Sequence, residues 1–289
     1  MALIAFDGTW NQDESDVIQD TNVARFGAAY RGTVSYIAGV GTRRGRIGKL
    51  VGGLFGAGGD DRIDEGLAAA RRHLAAGDAH LDVIGFSRGA AIALDFCNEL
   101  REALPKARVR FLGLFDVVAS FGLPGNSINL GKDLTLSDNV ARCYHAMAID
   151  ERRGNFPVTR VKARKGQAAL EQRLFEVWFR GVHSDVGGGN GKAGLSSIAL
   201  CWLFARARAS GLEFDPAHVA QWQGRRQPDE PLFANKDPIP DPFRPLYPAD
   251  VVHDSLRVRP SPPHQNPLPT MRVVGDDGTY RIAAFGGAG

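Results

Sequence analysis

The sequence predicts an α/β fold, a mostly parallel sheet flanked by helices, with an irregular Pro-rich C-terminal extension. Three observations carry this expectation. Short apolar runs such as Leu81–Phe86 and Val109–Phe115 alternate with helical patterns along the chain. These runs are apolar throughout, as suits strands buried on both faces of a parallel sheet. Gly85-Phe86-Ser87-Arg88-Gly89 stands between one such run and an Ala-rich segment, giving the order strand, sharp turn, helix.

The elements follow in order. Residues 3–6 read as a first strand, and Thr21 is a good N-cap for a helix beginning Asn22-Val23-Ala24. Residues 34–37 form a second strand. The glycine-rich stretch 39–59 is too poor in helix formers for regular structure. A helix runs from about Asp60, with Ile63, Leu67, Ala70 and Leu74 on one face. Strands over Leu81–Phe86, Val109–Phe115 and Leu174–Phe179 follow, and His145 falls in a helical segment between the last two. Residues 194–210 form a long helix that buries Leu195, Ile198, Trp202 and Ala205. Beyond Gly224 the chain turns polar and Pro-rich, with Pro238, Pro242, Pro245 and Pro248 among others, and one small β element near residues 271–274. This organisation predicts one domain over residues 1–289, with a core to about 224 and the extension over about 225–289.

Composition narrows the function classes. Thirty-five basic residues against 32 acidic ones leave a net charge of +3, and the arginines are scattered, so no nucleic-acid partner is expected. Cys97, Cys143 and Cys201 are widely spaced, without a CxxC pair or a Cys/His zinc spacing, and read as reduced, buried thiols. The N-terminal run has no basic region ahead of it and reads as a strand rather than a signal peptide. No apolar stretch approaches the ~18 residues of a membrane span, so no integral membrane segment is expected. The chain is expected to be cytoplasmic when synthesised, with export lacking a cleaved signal peptide left open.

The chemistry centres on Ser87. A G-x-S-x-G turn between strand and helix exposes a serine hydroxyl on a strained backbone, and the glycines let the helix pack close to the sheet. The Arg88 N–H, at the helix N-terminus, is placed to stabilise a developing oxyanion. A serine needs a base, and the base a carboxylate to orient it. Asp116 closes the Val109–Phe115 strand, and His183 follows the Leu174–Phe179 strand beside Gly187-Gly188-Gly189, giving the order Ser, acid, His. His253, late in the chain where many hydrolases carry their base, is the alternative. Asp185 and Asp254 are able to orient either histidine or to cap local turns. The Gly8–Trp10 backbone, with Thr9 at its centre, is the second source of oxyanion donors, and Asp7 fixes that loop. Phe6-Asp7-Gly8-Thr9 lacks the earlier Asp of a haloacid-dehalogenase phosphatase, because that place is Ala5. Residues 41–49 lack the spacing of a P-loop.

Six segments occur together in this order: Phe6-Asp7-Gly8-Thr9-Trp10-Asn11, Thr21-Asn22-Val23, Gly39-Val40-Gly41-Thr42, Gly85-Phe86-Ser87-Arg88-Gly89-Ala90, Phe115-Asp116-Val117-Val118-Ala119-Ser120, and Trp178-Phe179-Arg180-Gly181-Val182-His183-Ser184-Asp185-Val186-Gly187-Gly188-Gly189. The set resembles the α/β-hydrolase domain of bacterial type VI secretion phospholipase effectors and their relatives, over about residues 3–202. The resemblance implies an α/β-hydrolase-like fold and lipase-type ester hydrolysis with Ser87, Asp116 and His183 as triad. It also implies that Asp7 and Asp185 support the site. The expected partners are an ester or phospholipid substrate and a secretion-apparatus or immunity protein, with no cofactor and no metal. Two rival readings stay open: a metal-assisted hydrolase built on Asp7, Asp116, His183 and Asp185, and a degenerate hydrolase fold used as a binding module.

Overall fold

The computed structural model describes residues 1–8, 21–39, 54–119, 133–154, 156–164, 170–234, 241–258 and 263–285. The chain runs through β1 (Ala2–Phe6), α1 (Asn22–Ala29), β2 (Thr33–Ile37), α2 (Leu54–Ala75), β3 (Leu81–Phe86), α3 (Ser87–Ala103), β4 (Val109–Phe115) and β5 (Cys143–Ala148). It continues through β6 (Leu174–Phe179), α4 (His183–Gly187), α5 (Gly194–Ala209), α6 (Pro216–Gln223), β7 (Val251–His253), β8 (Thr270–Val274) and β9 (Tyr280–Ala284). These strands form one sheet in the order β2-β1-β3-β4-β5-β6-β7-β8-β9, and every pair is parallel except β8–β9.

The alternation of side chains along the strands builds a core on each face. Ala2, Ile4 and Phe6 of β1, with Val83 of β3, pack under α2 and α3. Leu3 and Ala5, with Ile84, pack under α1 and α5. Two opposite connections explain these layers: β1–α1–β2 steps to one side of the sheet, whereas β3–α3–β4 steps to the other. Right-handed crossovers then put α1 and α3 on opposite faces. The carboxyl ends of β1 and β3 therefore flank the point where the strand order reverses, the usual location of a site in an open α/β sheet.

Both glycines of the Ser87 turn are required by close approach. A Cβ on Gly89 would lie 2.4 Å from the carbonyl oxygens of Phe6 and Asp7, and one on Gly85 would lie 2.7 Å from Ala90 Cα. These neighbours are backbone atoms that cannot rotate away. Gly89→Ala is therefore expected to destabilise the protein by about 2–3 kcal/mol, read as a lowered urea midpoint. An unchanged midpoint would mean that α3 does not press on β1 this closely.

The structure corrects several sequence expectations. The second helix starts at Leu54 and not near Asp60. A helical glycine costs about 1 kcal/mol relative to alanine, and the packing of Ile63, Leu67, Ala69 and Ala70 outweighs that cost. His145 lies in strand β5 and not in a helix. Cys-Tyr-His-Ala-Met-Ala has no β-branched residue, so its strand form comes from pairing with β4 and β6 and from full burial. The C-terminal extension is only partly irregular, since β7, β8 and β9 continue the sheet. His73, in the last turn of α2, is buried and its ring bonds Ser35 Oγ at 2.9 Å. The glycine-rich residues 40–53 and most of the early loop lie outside the described residues. Among the described residues no helix is long and apolar enough to cross a membrane.

Candidate active site

Ser87, Asp116 and His183 come together at the carboxyl ends of β3, β4 and β6. Ser87 opens α3, Asp116 directly follows β4, and His183 opens the short α4. Among the described residues, Ser87 (φ 59°) and Asp116 (φ 39°) are the non-glycine residues with positive φ. A left-handed backbone at a residue with a Cβ is strained and persists only where the surrounding structure imposes it.

His183 Nε2 lies 2.9 Å from Ser87 Oγ, and Nδ1 lies 2.6 Å from Asp116 Oδ2. Burial by itself would raise the Asp116 pKa, but the Arg244 guanidinium and His183 hold it below the ordinary carboxylate range. An ionised carboxylate only accepts hydrogen bonds, so His183 carries its proton on Nδ1 and presents the Nε2 lone pair to the Ser87 hydroxyl. Burial lowers the His183 pKa, and Asp116 and Glu151 offset only part of that effect. The imidazole is thus neutral near pH 7, the form able to accept a proton.

The surroundings lock this arrangement. The His183 ring packs between Phe86, with centroids 4.7 Å apart, and Phe156, at 4.9 Å. The His183 backbone N–H donates to Glu151 Oε2 at 3.1 Å, and Glu151 is itself clamped by Arg153. Asp116 Oδ1 accepts from the Ala148 N–H at 2.9 Å, and Arg244 donates to both carboxylate oxygens. His145 Nε2 accepts the Val117 N–H, tying the turn after β4 to β5. Glu176 in turn orients the His145 ring from the other nitrogen.

The other expected residues divide. Asp7 Oδ1 accepts the Gly8 N–H at 2.7 Å, and Oδ2 accepts from the hydroxyls of Thr21 and Tyr36. Burial raises the Asp7 pKa against these bonds. Asp7 therefore holds the Gly8 backbone beside Ser87. The Gly8 N–H is spent on Asp7, which removes Gly8 from the three candidates, Gly8 to Trp10, for the second oxyanion donor. Thr9 and Trp10 lie outside the described residues. Arg88 follows Ser87 in the first turn of α3, and burial lowers its side-chain pKa to about 10.

Asp185 accepts from the Val182 and Phe233 backbone N–H groups and from Asn190, and touches neither Ser87 nor Asp116. It caps α4 and so aims His183 at one remove; burial raises its pKa. His253 is engaged elsewhere. Its Nδ1 accepts from the Ser255 N–H at 3.2 Å, its Nε2 faces Asp276 at 3.2 Å, and its ring stacks on Phe179. Asp254 pairs with Arg257 and Arg281. The oxygens of Asp7, Asp116 and Asp185 are thus committed to three separate networks. Among the described residues no three His, Cys, Asp or Glu side chains converge as a metal site.

A family model described as the catalytic domain of Tle1-like type VI secretion (T6SS) phospholipase effectors matches residues 2–98 and 96–206. The chain belongs to this Tle1-like family. The Tle1-like match includes Ser87, Asp116 and His183 and ends before Arg244 and His253. Among solved structures, the crystal structure of an uncharacterized protein from Pseudomonas aeruginosa is similar, with a TM-score of 0.55 and 24% identity over 78% of this chain and 47% of that one. The structure of the Tle1 effector bound to the VgrG spike of the type VI secretion system gives 0.46 and 23% identity, over 67% of this chain and 51% of that one. The chain spans about half the length of these two structures. No curated protein matches it.

Sequence reasoning missed Arg244, Glu151, Phe86 and Phe156. Glu151-Arg152-Arg153 carries a signal in retrospect, a charge cluster directly after an apolar stretch. Arg244 carries none, since it is one arginine in a Pro-rich region.

Proposed function

We propose that this chain is a serine hydrolase that cleaves the carboxylic esters of phospholipids by acyl transfer. The observation that carries this reading is the hydrogen-bonded series Ser87–His183–Asp116, with Ser87 on a left-handed turn at the head of α3. Ser87 Oγ attacks the ester carbonyl while His183 Nε2 takes its proton. His183 then gives that proton to the leaving alcohol, and Asp116 stabilises the imidazolium between these steps. The Arg88 N–H and a second backbone N–H bind the oxyanion, each contributing about 3 kcal/mol. Water, deprotonated by the same imidazole, releases the fatty acid and restores Ser87. Membership of a phospholipase effector family supports a phospholipid substrate.

The same membership supports export through type VI secretion, with a component of that apparatus as partner. Continuation of the sheet by β7, β8 and β9 supports one folding unit over residues 1–289.

The test is a panel of soluble p-nitrophenyl esters and phospholipid vesicles, assayed with and without EDTA. Fatty-acid release from the vesicles is expected, at a rate EDTA leaves unchanged, because the triad uses no Lewis acid. Loss of turnover in EDTA with recovery on adding a divalent ion would favour metal-assisted hydrolysis. Turnover of soluble esters without release from any vesicle would keep the hydrolase and remove the phospholipid.

A further inference from the structure

We propose that Arg244 is a positioning residue of this site, which locks Asp116 in place and lowers the basicity of His183, so extending activity toward acid pH. This inference rests on the Ser87–His183–Asp116 reading.

The guanidinium is buried and spends its Nη1 and Nη2 donors on the walls of the site. Nη1 donates to Asp116 Oδ1 and to the Ala148 carbonyl, both at 2.7 Å, and Nη2 donates to Asp116 Oδ2 at 3.1 Å and to the Phe156 carbonyl at 2.6 Å. One planar fork thus joins the acid, the end of β5 and the residue whose ring packs against His183. A flat, pre-organised fork suits this task, and an ammonium does not reproduce it. Arg244 is held in turn by Gln265 Nε2, which donates to its carbonyl at 2.8 Å.

The charge matters as much as the geometry. A carboxylate paired only with an imidazole raises that imidazole's basicity. Here the same carboxylate carries a guanidinium, one hydrogen bond beyond His183 Nδ1, which offsets the effect. The other charged groups around His183 do not replace this balance. Glu151, on the segment after β5, is paired with Arg153, and Asp185, on the same short helix, faces Val182, Asn190 and Phe233. Burial, Asp116, Glu151 and Arg153 act on the His183 ring directly, and Arg244 acts on it through the Asp116 carboxylate that both groups share.

The experiment compares pH profiles of kcat/KM on a soluble ester for wild type, Arg244→Gln and Arg244→Lys, with Ser87→Ala alongside. In Arg244→Gln the acid limb is expected to move to higher pH by about one unit, because His183 then faces an unbalanced carboxylate. In Arg244→Lys the positive charge remains, so the limb is expected to stay while the plateau falls about tenfold or more from loss of the fork. An acid limb in Arg244→Gln that coincides with wild type overturns the proposal. If Arg244→Gln does not fold, Arg244→Lys decides: a shifted limb or an undiminished plateau overturns it. Full activity in Ser87→Ala would instead sink the triad reading itself, so the two failures are distinguishable.

Discussion

Ser87→Ala is expected to lower kcat on a soluble ester by about a millionfold, toward the residual rate given by oxyanion stabilisation and binding alone. The effect is large because Ser87 Oγ meets His183 Nε2 at 2.9 Å and, among the described residues, no second hydroxyl bonds that nitrogen. The fold should tolerate the change. Ser87 is buried in a turn held by the close approach of Gly89 to β1, and alanine keeps the same Cβ and the same positive φ. A melting temperature close to wild type, together with loss of fluorophosphonate labelling, would complete the expected result. Labelling or turnover that persists in Ser87→Ala would end the serine-hydrolase reading.

His183→Ala and His253→Ala should differ by orders of magnitude. Removing the base is expected to cost about 10⁵-fold or more in kcat at saturating substrate, because His183 Nε2 is the group that faces the Ser87 hydroxyl. Removing His253 should leave kcat within about tenfold of wild type, since its ring nitrogens face Ser255 and Asp276 and lie outside the Ser87–Asp116 series. Its expected defect is in stability, by about 1–2 kcal/mol, from the lost cap of residues 254–257 and the lost bond to Asp276. The discriminating measurement is kcat beside a urea melt for each variant. A kcat collapse confined to His253→Ala would show that the base has been wrongly assigned. In wild type, burial lowers the His183 pKa, so its deprotonated, active form should persist below pH 6.5 and the acid limb should fall there.

Several features were legible because each sits at the end of an apolar run. Ser87, Asp116 and His183 close or closely follow Leu81–Phe86, Val109–Phe115 and Leu174–Phe179, and the strands of a parallel sheet carry their chemistry at one shared edge. Strand β5 was not legible because it has no β-branched residue, with Tyr144 its one strong strand former, and is held extended by β4 and β6. Strand β8 was legible near residues 271–274, whereas the three-residue β7 was obscured by Pro248 and Pro260, which lie around it rather than within it. The start of α2 was misplaced because local propensity reads glycine as a break, whereas the packed part of that helix propagates it backward.

The sequence by itself determined the alternation of strands and helices, the turn that raises Ser87, and the order of the three polar residues that follow buried strands. These are local properties, set by apolar runs and by glycines whose steric demands act on immediate neighbours. Only the tertiary structure decided which groups surround those three residues. Arg244 reaches Asp116 across 128 positions of sequence, and Glu151 meets the His183 N–H across 32. It also gave His253 its partners, Ser255 and Asp276, away from Ser87. Side-chain contacts over such separations depend on the register and twist of the whole sheet, which no short stretch of the chain encodes.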